Sequence, residues 1–392
     1  MEPDHHGKWA KFHPVWDGFF TFLFTPGETT NKGAHIRDGI DLKRTMFMVI
    51  VALLPCLLFG IYNTGHWHYV AETGDMNLPY WDMFGDKVIY GLIKVLPLVI
   101  VSYAVGLGVE FVFCIKNQHP IQEGYLVTGM LIPLIVPADV PLWMVAIAVV
   151  FAVVLAKEVF GGTGMNVVNV ALTARAFLFF SYPTMMSGDK IWMSGLQHVA
   201  STPDGFSGAT PLGELASMAT NEPVHASIDA FQAKWTLMDS MIGSIPGSVG
   251  ETSFIAIMIG AAFLLYTGIA SWKVMFSFFA GGLVIGYLLN GVAVNPYMEL
   301  DPIHHLMLGG FAFGAVFMVT DPVTAAQTSS GKYIYGFLAG AMAIVIRVLN
   351  PAFPEGVMMA ILLLNVLAPL IDHYVVQSNI KRRMKRLKTV PQ

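Results

Sequence analysis

Residues 88–115 read VIYGLIKVLPLVIVSYAVGLGVEFVFCI, a run interrupted by only two charges, Lys94 and Glu110. A helix that crosses a membrane needs about 20 mostly apolar residues, and this run exceeds that. Working outward, nine further apolar runs lie at 45–62, 123–137, 141–158, 167–182, 252–270, 273–291, 304–320, 333–350 and 356–376. The spacing predicts an all-α polytopic membrane protein of about ten transmembrane helices. The runs at 123–137 and 167–182 are short enough to be tilted or broken. Composition agrees. Of 392 residues, 55% are hydrophobic and 12% charged, where a soluble domain carries about 25% charged residues. Mean hydropathy is +0.61. A water-soluble enzyme, a nucleic-acid reader and a disordered scaffold are excluded. Cys56 and Cys114 both lie inside apolar runs, which rules out a disulfide framework or a four-cysteine metal site built from this chain alone.

Lysine and arginine set the expected orientation. Segment 1–44 holds six basic residues and segment 377–392 another six, whereas the polar stretch 183–251 holds two against seven acids. Both termini are therefore expected on the cytoplasmic side and 183–251 outside. The N-terminus is polar and shows no cleavable leader. The organisation read from this is a cytoplasmic segment 1–44, a first five-helix half 45–182, an outer loop 183–251, a second five-helix half 252–376, and a basic tail 377–392 that faces anionic lipid. Two halves of opposite orientation suggest an inverted repeat, an arrangement that places sites near broken helices. Two candidate breaks are Phe160-Gly161-Gly162-Thr163-Gly164-Met165-Asn166-Val167-Val168-Asn169 and Met318-Val319-Thr320-Asp321-Pro322-Val323-Thr324. The helix count puts both near the cytoplasmic side, whereas equivalent breaks of an inverted repeat would face opposite sides.

Polar groups inside such a chain are costly and informative. Glu110, Asp321 and Asp372 either sit at interfaces, satisfied by water or helix ends, or supply oxygen ligands to a cation such as Na⁺. Lys94, Lys157 and Arg347 are expected to snorkel or pair, with Glu158 as the neighbour of Lys157. The glycines around Gly161 and Gly162 either allow close helix packing or open a polar cavity. In the second case the Asn166 and Asn169 amides offer a donor and an acceptor each. Gly106-Leu107-Gly108 has the same two readings, close packing or the wall of a ligand pocket. His66, His68, His304 and His305 are expected at membrane edges on outer loops, an unsuitable arrangement for paired haem ligation. The outer loop carries Asp204-Gly205-Phe206-Ser207-Gly208-Ala209-Thr210. By composition this is a glycine-rich surface turn. Gly208 and Ala209 leave the Thr210 hydroxyl unshielded, within reach of a modifying enzyme. Thr210 has no evident base beside it and is a poor nucleophile by itself.

That last string resembles the flavinylation motif Asp-x-x-Ser-Gly/Ser-Ala-Thr. Residues 160–169, Thr173–Pro183 and Thr320–Thr324, together with the aromatic segment Phe19–Gly27, resemble the B-subunit family of the sodium-translocating NADH:quinone oxidoreductases (Nqr) over nearly the whole chain. The resemblance implies FMN joined through its phosphate to Thr210 by a dedicated flavin transferase, with Asp204, Ser207, Gly208 and Ala209 as the rest of the motif. It implies a non-covalent riboflavin near Gly161, Gly162, Asn166 and Asn169. It associates Glu110, Asp321 and Asp372 with Na⁺ uptake, and Gly106, Leu107 and Gly108 with a ubiquinone pocket that the aromatic N-terminal segment could complete. Electrons would pass from a sister FMN subunit toward quinone, coupled to Na⁺ export across a bacterial inner membrane. The implied partners are the A, C, D, E and F subunits, the implied architecture that of the urea transporters. NADH oxidation must lie elsewhere, because the chain has no Gly-x-Gly-x-x-Gly strand–turn–helix unit. Two departures stand out: Val170 where the family usually has proline, and Leu107 within its usual glycine pair. The rivals are the D subunit of an Rnf complex, which shares the flavin motif but is shorter, and a urea-transporter-like channel without redox chemistry.

Overall fold

Each of the ten apolar runs is helical in the computed structural model, which describes Trp16, Gly18, Thr30 and residues 32–36, 42–76, 78–117, 124–196, 207–218, 224–350 and 356–388. Asp204 and the aromatic segment Phe19–Gly27 lie outside the described residues. The first five runs form α1 (Leu42–Thr73), α2 (Phe84–Asn117), α3 (Tyr125–Leu134), α4 (Leu142–Ala152) and α5 (Val170–Ser181). The polar connection contributes α6 (Pro211–Met218), α7 (Val224–Lys234) and α8 (Leu237–Ile242). The second five form α9 (Phe254–Tyr266), α10 (Trp272–Asn290), a split helix of α11 (Pro302–Met307) and α12 (Phe311–Phe313), then α13 (Ser329–Leu349) and α14 (Val357–Lys388).

Among the described residues, six helices are long and apolar enough to cross a membrane, and three apolar helices (α3, α5, α9) are shorter. The run 304–320 is not one span. It breaks at Leu308-Gly309-Gly310, where the two glycines take φ of +61° and +68°, a left-handed conformation that only glycine adopts without strain. The helix starting at residue 42 continues to Thr73, so His66 and His68 sit within α1 rather than on an outer loop, and His304 and His305 are buried in α11. The basic residues Lys381 to Arg386 prolong α14 as an exposed helical tail.

The bundle is apolar inside and out, as a bilayer requires. Leu98 and Val95 of α2 are buried, while Ile89, Ile93, Ile100 and Val112 on its other faces are exposed. Association in lipid relies on close packing rather than on water exclusion, and glycines provide it. A side chain on Gly281 would overlap the Phe337 carbonyl, and one on Gly340 the Phe278 carbonyl, so α10 and α13 cross backbone to backbone. Gly65 and Gly91 bring α1 and α2 together in the same way, against the carbonyls of Lys87 and Ile61. The halves meet where α1 packs on α9 and where α5 packs on α14.

Two helices widen before they end. α4 runs into a π turn at Val153–Lys157 and then a 3₁₀ turn at Glu158–Phe160; α12 runs into a π turn at Gly314–Met318. Such wide turns inside helices recur at functional sites. Each of these leads directly into one of the two break motifs read from the sequence.

Candidate functional site

The two break motifs meet in one cavity with about 880 Å³ of empty volume, counted out to its open mouth. They therefore share one end of the bundle and are not opposite-facing mates of a repeat. Ligand sites commonly combine apolar walls with a few placed polar groups. Here Val49, Val127, Leu131, Leu264 and Phe317 supply apolar wall, while Thr163, Asn166, Lys157 and Asp321 supply polar atoms.

Asn169 organises this end. It is the N-cap of α5, its side-chain oxygen accepting the Leu172 N–H at 3.1 Å. Its Nδ2 donates to Asp321 Oδ2 at 3.4 Å, which ties the first motif to the second. The buried Asn365 amide on α14 is oriented to accept the Asn169 N–H at 3.1 Å and to donate to the Tyr335 hydroxyl at 2.7 Å. The Asn169 side chain is thus committed to protein partners. Asn166 is less so: its Nδ2 donates to the Val168 carbonyl at 3.2 Å, and its residue lines the cavity. Asp321 also accepts the Val323 N–H at 3.0 Å, the short-range turn typical of aspartate. Gly161, Gly162 and Gly164 hold φ of +114°, +93° and +91° and let the loop fold back over the cavity.

Lys157, on the last residue of the π turn, lines the cavity and makes a direct ion pair with Glu110 of α2, both side chains being almost completely buried. Its partner is Glu110, not the adjacent Glu158. Gly106, one turn before Glu110, packs its bare Cα on the Tyr125 ring; Gly108 faces open space and Leu107 is half-buried. Asp372 lies away from this cavity, accepting the Gln327 N–H at 2.6 Å, the Thr328 N–H at 3.0 Å and the Thr328 hydroxyl at 2.5 Å. It clamps the loop after the second motif onto α14. Lys94 pairs with Asp139 at 2.8 Å.

A second, smaller pocket of about 320 Å³ surrounds Thr210. It is lined by Thr210, Leu212, Ser248, Glu251, Gly309 and Gly310, among others. Thr252, just before α9, lines this pocket and Leu264, near the end of α9, lines the cavity. About 18 Å of helix rise separates those two residues. Thr210 is not unshielded, as its sequence context suggests. It is 9% exposed, because its Oγ1 accepts the Gly213 N–H at 3.1 Å and so caps α6, with Pro211 in the first-turn position that proline favours. Ser207 Oγ accepts the Ala209 N–H at 3.3 Å. Gly208 is buried where a side chain would run into Leu196 and the Asp189 carbonyl, so the small residues of this string serve packing.

Glu251 in the wall of that pocket, and two arginines bonded to its wall residues, have roles the sequence did not disclose. Arg175 of α5 pairs with Glu251 at 2.7 Å, both buried. Arg347 of α13 is fully buried and donates to the carbonyls of His305 (2.6 Å), Leu308 (2.9 Å) and Gly309 (3.3 Å), filling acceptors that the break between α11 and α12 leaves open. In the sequence Glu251 reads only as one more acid of the polar stretch, and Arg347 as a snorkelling cation.

Residues 29–381 match the family model described as the NQR2, RnfD, RnfE family. The B subunit of the Na(+)-translocating NADH-quinone reductase from Chromohalobacter salexigens is 44% identical, over 98% of this chain and 95% of that protein. Proteins of the same name from Pseudomonas aeruginosa (43% identical, 98% and 97% covered) and Klebsiella pneumoniae (42% identical, 98% and 98% covered) are similar over the same extent.

Proposed function

Because the chain belongs to the NQR2, RnfD, RnfE family, we propose that it is the flavin-carrying membrane subunit of a sodium-pumping NADH:quinone oxidoreductase, the activity named for its relatives. FMN is esterified through its phosphate to Thr210, and a non-covalent riboflavin occupies the cavity between the two break motifs. Flavins supply the redox chemistry when bound; the protein supplies position and electrostatics. The observation that carries this reading is the pairing of sites: the motif threonine sits in its own pocket, and a cavity with apolar walls and a few polar groups lies about 18 Å of helix away.

The residues present fit both groups. In the cavity, apolar walls from α1, α3, α9 and the π turn after α12 suit a planar ring system. Asn166 and Thr163 suit its polar edge and ribityl hydroxyls. At the other end, Thr210 holds its oxygen at the start of α6, where backbone N–H groups and the helix dipole favour a phosphate. Esterification requires an activated flavin nucleotide: the Thr210 Oγ–P bond forms, the bond to the donor's leaving phosphate breaks, and the hydroxyl proton is released. Since Thr210 is buried, the transferase acts before α6 docks or on an opened loop.

The remaining assignments follow the same reading. Electrons arrive from a sister FMN subunit, the other subunits (A, C, D, E and F) complete the complex, and NADH is oxidised outside this chain. Gly106–Gly108 forms part of the quinone wall. Glu110 and Asp321 attract Na⁺ beside the cavity. Asp372, fully engaged with the 327–328 backbone, contributes by holding that loop. Both termini face the cytoplasm of a bacterial inner membrane and Thr210 faces outside. The halves 45–182 and 252–376 are two units of the bundle. A D-type subunit of an Rnf complex is the second reading, since the family model spans both kinds.

In-gel flavin fluorescence on a denaturing gel tests the proposal. Wild-type chain and Thr210→Val are each co-expressed with a flavin transferase. A fluorescent wild-type band and a dark variant band are expected. A dark wild-type band overturns the flavin assignment.

A further inference from the structure

Four polar side chains line the Thr210 pocket: Thr210, Ser248, Glu251 and Thr252. Three of them are engaged. Thr210 Oγ1 accepts the Gly213 N–H at 3.1 Å, Glu251 meets Arg175 at 2.7 Å, and Thr252 Oγ1 accepts from Asn63 Nδ2 at 3.4 Å. Ser248 is 2% exposed, and its Oγ has no hydrogen-bond partner among the described residues. A buried hydroxyl left in that state is costly, and native structures carry few of them. Its backbone is firmly placed. The Val249 N–H donates to the Val136 carbonyl at 3.4 Å and the Gly250 N–H to the Leu134 carbonyl at 2.7 Å. A side chain on Gly60 would overlap the Val249 carbonyl, so α1 closes on the same segment. The hydroxyl is thus held in the pocket wall and left free to bond there.

The start of α6, in the same pocket, favours an anion but is short of donors for one. Pro211 has no N–H, and the Gly213 N–H is given to Thr210 Oγ1. Within the first turn this leaves the N–H of Leu212, which has no acceptor inside the helix, and Leu212 lines the pocket. The carboxylate in the wall is met on the protein side, since Glu251 pairs with Arg175. A phosphate joined to Thr210 at one end and to a flavin ribityl chain at the other is a diester. It spreads one negative charge over two free oxygens, and these oxygens only accept. We propose that Ser248 is a second residue of the attachment site: its hydroxyl donates to one free oxygen of the phosphate esterified to Thr210, while the start of α6 serves the other. This rests on the flavin reading above and adds the side chain that seats the attached group. Ser248 acts after attachment. No covalent bond to it forms or breaks, and its proton stays on Oγ, where a serine carries one donor.

The test compares the detergent-solubilised full chain made with and without a co-expressed flavin transferase, as wild type, Ser248→Ala and Ser248→Cys. Cysteine keeps most of the volume but is a weak donor. Thermal midpoints are read beside in-gel flavin fluorescence. Without the transferase neither substitution should lower the midpoint, because the hydroxyl has no partner to lose. With flavin attached, both variants should melt about 2 °C below the flavinylated wild type, the effect of one hydrogen bond to a charged group in a chain of this length. Bands of equal fluorescence are expected, since the bond forms after attachment. A fall of the same size in both states overturns the inference, because it marks packing or a buried water. No fall in either state overturns it as well. So does a folded variant with a dark band, which places Ser248 in recognition by the transferase. If Ser248→Ala does not fold, Ser248→Cys decides, and its own failure to fold overturns the inference. A dark wild-type band fails the flavin reading itself. A fluorescent wild type whose variants behave alike in both states fails only the role of Ser248.

Discussion

The large cavity and the Thr210 pocket are built by different means. The cavity lies where helices end early or widen. α3, α5 and α9 are short, α4 and α12 open into π turns, and side chains of mixed character line the resulting space. The Thr210 pocket lies where turns and helix ends meet: the capped start of α6, the segment 245–248 and the left-handed Gly309-Gly310 break, with buried charges beside them. The first offers a ligand apolar walls and a few polar side chains. The second has room for the root of a tethered group and little else. Substitutions of the buried charges beside this pocket should therefore cost fold stability. Those in the cavity should cost ligand occupancy.

The sharpest way to break this contrast is Arg347→Met. It removes three hydrogen bonds to buried carbonyls, each from a charged donor. At about 1.5–3 kcal/mol per bond, partly recovered by relaxation, a loss of about 5 kcal/mol is expected. The thermal midpoint of the detergent-solubilised chain should fall sharply, together with flavin attachment at Thr210. If stability is unchanged, the pocket is not held by its buried charges. Glu251→Gln should come next. It strips a buried pair of one charge and leaves Arg175 behind, a change that typically costs 3–5 kcal/mol. Glutamine keeps one acceptor, so about 3 kcal/mol is expected by the same thermal measurement. Riboflavin content of the cavity should stay near wild type in both variants wherever the chain still folds.

Asn169→Ala probes the other side of the comparison. Loss of an N-cap costs about 1 kcal/mol, and loss of the long link to Asp321 adds little. The main effect should be on ligand: with the two motifs no longer tied, extracted riboflavin per chain should drop severalfold while Thr210 fluorescence persists. A parallel loss of both flavins would show that the two sites are not separately built.

How much of this was legible beforehand differs between the regions for the same physical reasons. The ten helical runs were readable because apolar length is a strong signal, and the short third and fifth runs were readable as short. The split of 304–320 was hidden. Gly309-Gly310 sits inside an otherwise apolar string, and nothing in hydropathy distinguishes a packing glycine from a left-handed one. The two break motifs were readable as breaks. That they meet in one cavity depends on packing of α1, α3 and α9 between them. The motif around Thr210 was readable as a string, but its burial was not, because capping depends on α6 forming directly after it. Lys157 next to Glu158 invited a local pairing. The real partner, Glu110, is 47 positions away in sequence, and only tertiary structure brings it there.

The smallest effect expected is also the one that tests the cavity's construction most directly, Val170→Pro. Proline is the residue that the family resemblance leads one to expect at this position, and the local geometry accommodates either. Val170 is the first residue of α5, where proline is favoured because the missing N–H has no helical acceptor. A residue before proline must be extended, and Asn169 already is, at φ −64° and ψ +123°. The substitution therefore demands no rearrangement of the cap, of the Asn169–Asp321 link or of the glycine loop before it. Its effect acts through the unfolded chain, whose freedom proline reduces, and a gain of about 0.4–1 kcal/mol is expected. The thermal midpoint should rise slightly with riboflavin content unchanged. A fall instead would mean that the Val170 side chain, which lines the cavity, fills space that the proline ring cannot, and that this end of the molecule is as tightly fitted as the pocket around Thr210.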